Sequence, residues 1–230
     1  MVYKSIKDIS MPIIVAPMFR VSGPELVIAA CRSGVIGSFP AINPRTPEEL
    51  DLWLGKISRE LEQVPDAAPY AVNLVIRSES FSQELDVVMR HKVPMVISSV
   101  GNPNAVVPFI HSYGGFVLAD VATLRHARKA VELGVDGLIL LCAGAGGNTG
   151  WMNPFAFVRA VREFYDGLVV IAGGIMDGAS IRAAEALGAD LVYMGTRFIA
   201  AAESLAADEY KQKLKETGLI YFTDESVFNT

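Results

Sequence analysis

Residues 141–150 read LCAGAGGNTG, four glycines in ten residues directly after an apolar run. Glycine lets the main chain approach a ligand closely, so such a loop can turn its N–H groups toward an anion or a planar ring. The loop carries no histidine, lysine or carboxylate. By itself it can hold a ligand but offers no residue that exchanges protons near neutral pH. Two shorter glycine sites follow, Gly173-Gly174 in IAGGIMDG and Gly195-Thr196 in MGTRF. Other apolar runs end in polar groups or contain one: Met18, Phe19 and Arg20, then Ser38, Asn73, Ser98 with Ser99, and Asp120. Cys142 could serve as a nucleophile, but no base stands beside it, and a cysteine in an apolar run is ordinarily inert core. His91, His111 and His126 lack metal-ligand spacing and read as surface side chains, so no metal site is expected. Trp151 could cover a ligand or simply pack. Arg197 could reach a phosphate or pair with an exposed acid.

These residues need a frame. Eight strand-like runs recur along the chain, at 12–16, 35–39, 70–76, 94–100, 116–120, 137–142, 168–172 and 190–194. Helix-like stretches at 24–33, 47–63, 123–133 and 179–187 lie between them. Pro24 suits a first helical position with Ser22 just outside it, and Gly134 and Gly188 suit left-handed helix ends. ELGVDGLILL and ALGADLVYMG echo each other as helix end, glycine, apolar residue, Asp, strand. Strict alternation predicts an α/β fold, a (β/α)8 TIM barrel forming a single domain over residues 1–230. A doubly wound open sheet is the alternative, but APMFRVSG after the first run lacks its glycine fingerprint. In a barrel these polar groups gather at the C-terminal rim. The loops after strands seven and eight are then placed for a phosphate.

Composition agrees. The chain has 230 residues, 51% hydrophobic and 20% charged, with a mean hydropathy of +0.35. No apolar run reaches the roughly 18 residues of a spanning helix. The apolar excess fits strands buried on both faces instead. Lys4 and Lys7 precede an apolar patch, but Asp8 and two prolines spoil a signal peptide. Two cysteines suggest a reducing, cytoplasmic setting. A net charge of −5 without a basic block argues against nucleic acid. The RHARK run at 125–129 reads as a solvated helix face.

PIIVAPM, VNL at 72–74, GAGGNTG, IAGGIMDG and LGADLVYMGTRFIA occur in order on the expected strands. Together this set resembles the nitronate monooxygenase family, also called 2-nitropropane dioxygenases, over nearly the whole chain. The resemblance implies a barrel binding FMN noncovalently. It places the flavin phosphate on Gly173, Gly174, Gly195 and Thr196. It places the ring near Pro17, Met18 and Asn73, with Ala145, Gly146 and Gly147 against one edge and Ser98 among the contacts. It implies oxidation of alkyl nitronates with dioxygen to a carbonyl compound and nitrite, with no membrane partner and a homodimer left open. Relatives commonly carry a histidine base where this chain has Asn148. An amide cannot take up a proton near neutral pH, so anionic nitronates are expected to be handled better than neutral nitroalkanes. Some relatives carry a lysine near Asp120, where a carboxylate would disfavour an anionic reduced flavin, or else face a helix N-terminus or bond a ribityl hydroxyl. Relatives also continue into a helical lid; with the sequence stopping at IYFTDESVFNT, that lid is expected to be short or missing, or else the sequence to be truncated. Two other readings stay open: an FMN- and NAD(P)H-dependent enoyl-thioester reductase, and a flavin-binding barrel without nitronate activity.

Overall fold

The computed structural model describes residue 6 and residues 9–216. Lys4, Lys7, Asp8 and the IYFTDESVFNT end lie outside the described residues. Eight strands run in parallel: β1 (Ile13–Val15), β2 (Gly37–Pro40), β3 (Tyr70–Val75), β4 (Met95–Ser99), β5 (Phe116–Val121), β6 (Gly137–Leu141), β7 (Leu168–Ala172) and β8 (Leu191–Met194). Most coincide with apolar, β-branched runs, because a parallel strand covered on both faces is apolar along most of its length. Their spatial order is β1-β8-β7-β6-β5-β4-β3-β2. A parallel bridge between Ile14 and Ile36, with Val15 N donating to Ile36 O at 2.8 Å, joins β1 to β2 and closes the cylinder. The expected (β/α)8 barrel is the fold.

Side-chain alternation divides the core. Ile14, Ile36, Ala71, Met95, Ile97, Leu118, Ile139, Val170 and Leu191 fill the lumen. Val15, Val72, Val96, Val117, Leu138, Val169 and Val192 point the other way, into a shell beneath the helices. That shell is covered by α1 (Pro24–Arg32), α2 (Pro47–Glu62), α3 (Phe81–Arg90), α4 (Val107–His111), α5 (Leu124–Glu132), α6 (Pro154–Arg162) and α7 (Gly178–Leu187). Leu50, Leu54, Ile57 and Leu61 form the buried stripe of α2, and Trp53 tilts against Phe39 with ring centroids 5.6 Å apart. Thr46 and Thr123 cap α2 and α5 by accepting from Glu49 N and His126 N. Gly188 ends α7 at φ +108°, a left-handed position that disfavours a Cβ. At α1 the expectation shifts by one residue. Gly23 is the cap, and Ser22 instead accepts from Met18 N at 3.0 Å, tying down the loop after β1. Among the described residues no helix is long and apolar enough to cross a membrane.

The internal echo has a structural cause. Asp136, just before β6, donates its N–H to Val117 O at 2.8 Å and accepts from Val117 N at 2.7 Å. Asp190, just before β8, does the same with Val169, at 2.8 Å and 2.7 Å. Each carboxylate also meets a second side chain, His111 at 2.8 Å and Arg162 at 2.6 Å. The two aspartates are matched clasps at the N-terminal ends of neighbouring strands. His111 is therefore half of a clasp rather than an idle surface side chain, and His91 bonds Asp51 at 3.0 Å. The RHARK helix face is solvated as expected, with Arg128 stacked 3.9 Å from the Phe164 ring centroid.

Candidate functional site at the C-terminal rim

The glycine-rich loop leaves β6 and folds back on it. Ala145 N donates to Cys142 O at 3.1 Å, Ala143 N to Met152 O at 2.9 Å, and Thr149 Oγ1 to Cys142 O at 3.2 Å. A Cβ on Gly150 would overlap the carbonyl oxygen of Leu141, so only glycine allows the return. Gly146 differs from it: a Cβ there would meet nothing within 4 Å. Asn148 sits beside it, exposed, and no hydrogen bond among the described residues ties its side chain to another site residue.

The loops after β6, β7, β8 and β1 are brought together. A Cβ on Gly173 would lie 3.0 Å from Ala145 N and 3.2 Å from Ala143 O. Gly174 projects into open space, with nothing within 4 Å of such a Cβ. One on Gly195 would lie 3.5 Å from the Met18 sulfur. Thr196 opens the short α8 (Thr196–Ile199), whose first N–H groups have no intrahelical acceptor. Asp177 caps α7, accepting from Ser180 N at 2.8 Å. Its carboxyl is held below the usual range by that backbone bond first, then by the Ser180 hydroxyl, with the Arg197 charge also contributing. Arg197 thus lies close enough to an exposed acid to act on it. Pro17 and Met18 are half-buried. Their loop is pinned by Asn43, whose Nδ2 donates to Met18 O at 3.0 Å and Ser22 O at 2.8 Å. Asn43 lies in no recognisable motif, and nothing in its sequence context signals this role.

Asn73 is buried on the lumen face of β3, donating to Ile97 O at 3.1 Å and Ser99 Oγ at 2.9 Å. Ser98 shares the outward face of Val96 and so points toward the helices, away from the mouth. The pleat makes Ser99 the lumen-facing serine, which corrects the expectation for Ser98. Cys142 is fully buried, and burial pushes its thiol up to about 11. A thiol held in that form is an inert core side chain. Trp151 is 95% exposed and packs on nothing.

Asp120 lies on β5 with its side chain toward the lumen. Its Oδ1 is sealed from solvent and has no hydrogen-bond partner among the described residues, and the Tyr193 hydroxyl on β8 is in the same condition. The rest of each residue keeps partial exposure. Burial pushes the Asp120 carboxyl up to about 7. Burial first and the Asp120 charge second raise the Tyr193 phenol well above its usual value. Tyr193 was hidden in the sequence inside an apolar run. Its parity with Leu191 was the one available sign that it faces inward.

Two sizeable cavities lie elsewhere. One of about 810 Å³ sits between α2 and α3, lined by Arg45, Glu48, Asp51, Gln83 and Arg90. One of about 1190 Å³ sits at the opposite mouth, beside Ile9, Tyr113, Asp136 and Asp190. The lining of the first is outer helix surface. That of the second contains the two clasps, whose carboxylates are already engaged. The open rim carries the convergent glycine edges and the unsatisfied polar atoms, and it is the better candidate.

A closed parallel barrel with glycine loops and buried polar atoms converging at the C-terminal rim defines a (β/α)8 barrel with its candidate site at that rim. The family model for nitronate monooxygenase matches residues 61–223, and the chain belongs to that family. It is 27% identical over 208 residues to the (3aS,4S,5R,7aS)-5-hydroxy-7a-methyl-1-oxo-octahydro-1H-indene-4-carboxyl-CoA dehydrogenase of Rhodococcus jostii, covering 90% of this chain and 57% of that protein. It is 29% identical to a nitronate monooxygenase of Paraburkholderia phytofirmans, covering 90% of this chain and 68% of the relative. The structure of FabK from Thermotoga maritima superposes with a TM-score of 0.82 at 31% identity, over 93% of this chain and 68% of that one. The chain thus spans 57–59% of the length of the first curated relatives it matches.

Proposed function

We propose that residues 1–230 act as one FMN-binding barrel and that the protein is an oxidoreductase for alkyl nitronates. The observation that carries this reading is the rim. Glycine edges open to ligand at Gly146 and Gly174 share the rim with an Asp120 carboxyl oxygen and a Tyr193 hydroxyl that no described residue satisfies. Buried polar atoms are normally paired, so an orphaned pair at a mouth fits a ligand that completes it. Gly173, Gly174, Gly195 and Thr196 would hold the flavin phosphate. Pro17, Met18 and Asn73 would line the ring, Ala145, Gly146 and Gly147 would lie along its edge, and Ser99 takes the place first expected for Ser98. FMN would supply the electron transfer, from nitronate to dioxygen, leaving a carbonyl compound and nitrite.

The chain's own contribution to substrate is the amide of Asn148, which can orient a nitro group by hydrogen bonding but cannot abstract a proton. A nitronate is already a carbanion and needs no base. Its parent nitroalkane does, and turnover should fall accordingly.

A second reading is an acyl-thioester oxidoreductase using a nicotinamide donor. It is favoured by the absence of a base at Asn148 and by the relative whose name specifies a carboxyl-CoA substrate. An absorption spectrum of the purified protein tests the flavin first. Anaerobic addition of a nitronate, and separately of NADH, then tests the chemistry. Bleaching by the nitronate supports the first reading, bleaching by NADH alone supports the second, and a colourless protein that takes up no FMN refutes both.

A further inference from the structure

The mouth has a floor whose polar atoms are unspent. Asp120 Oδ1 and the Tyr193 hydroxyl are buried without partners among the described residues, and they belong to strands separated by β6 and β7, so they converge across the lumen rather than along one strand. The lumen-facing side chains around Asp120 are apolar or neutral: Ile97 on β4, Ile139 on β6, and Val170 with Ala172 on β7. Asn73 and Ser99 bond each other. Tyr193 is the titratable group that faces Asp120, and no salt bridge among the described residues reaches its carboxyl. A carboxylate in this setting has neither counter-ion nor N–H donor, and the neutral acid is the form such a site favours.

We propose that Asp120 and Tyr193 form a paired donor site at the floor of the mouth, giving two O–H hydrogen bonds to acceptor atoms of the bound flavin, and that the flavin is released as Asp120 loses its proton. This rests on the FMN reading above and adds a pH control to it. The ionised carboxylate would set a negative charge, with no donor of its own, against the same acceptors. The Tyr193 hydroxyl would then turn toward the carboxylate instead of the ligand. Because the ligand favours the protonated form, its binding raises the proton affinity of Asp120, and binding at alkaline pH takes up a proton.

The test is the dissociation constant of FMN, read from flavin fluorescence between about pH 5.5 and 8.5, for wild type, Asp120→Asn and Tyr193→Phe, each checked for folding by circular dichroism. Wild-type affinity should fall roughly tenfold per pH unit above the Asp120 titration. The Asp120→Asn protein carries a permanent donor and should bind with a flat profile. The ligand phosphate titrates near about 6 and affects every variant alike, so the difference between wild type and Asp120→Asn isolates the carboxyl. Tyr193→Phe should weaken binding severalfold at every pH and keep the slope. Carbon-13 shifts of the labelled Asp120 carboxyl give a readout independent of any activity, and added FMN should move its titration upward. Wild-type affinity that is flat, or that rises with pH, overturns the donor pair while leaving FMN binding intact. Folded protein that binds no FMN at any pH overturns both.

Discussion

The isolated charge of Asp120 should be visible in stability even without a ligand. Its carboxyl is pushed up to about 7 by burial, against about 3.9 in an unfolded chain. A group with a raised folded value contributes its full stability below the unfolded value. That contribution is lost as pH rises through the folded value. Three units correspond to about 4 kcal/mol at most. Part of the residue remains open at the mouth, which lets water relieve some of the charge, so about 2–3 kcal/mol, lost between about pH 4 and pH 7, is the working figure. In Asp120→Asn the ionisation is gone and this term vanishes, whereas every other carboxylate titrates as before. Urea unfolding of flavin-free wild type and Asp120→Asn at a series of pH values provides the assay. The two should be closest near pH 4, and the variant should gain on wild type up to about pH 7 and keep a constant margin above it. Parallel curves across the range would show that the carboxyl is not held neutral and would remove the physical basis for its role at the mouth.

Replacing Asn148 by His should raise turnover of a neutral nitroalkane relative to its nitronate at neutral pH, measured by steady-state rates on both. Equal effects on the two substrates would exclude a missing base as the limit. Gly150→Ala should destabilise by about 2 kcal/mol or more, since its Cβ collides with backbone, whereas Gly146→Ala should stay within about 0.5 kcal/mol and instead weaken FMN uptake; thermal melts and flavin titration separate the two. Arg162→Ala removes bonds to Gly188 O, Gly167 O and Asp190 and should cost about 2–3 kcal/mol, with denaturant midpoints as the check.

The eight strands were legible because a parallel strand buried on both faces announces itself locally, as in the GLILL run of β6. Helix boundaries were legible where a cap residue or proline sits next to the first turn, as at Thr46-Pro47. Facing was not. Whether Ser98 or Ser99 looks into the lumen depends on the register with β3 and β5, which no single run of residues encodes. The pairing of Asp120 with Tyr193 is harder still, because it exists only once the sheet has curved and closed. Asn43 escaped notice for the same reason: the loop it secures is distant in sequence and adjacent only in the barrel. The motif-bearing glycines were found early, yet sequence could not separate Gly150, required by its own strand, from Gly146, free to meet a ligand.

The paired aspartate clasps have a practical consequence. Each fixes the register of two neighbouring strands from the end remote from the rim, through one main-chain bond and one bond from the neighbour's N–H to the aspartate carboxylate. Slippage is blocked there whatever is attached at the far side. Segments of foreign sequence could therefore be grafted between β5 and α5, or between β7 and α7, without loosening the staves, which makes this half of the barrel a natural chassis for recombining rims.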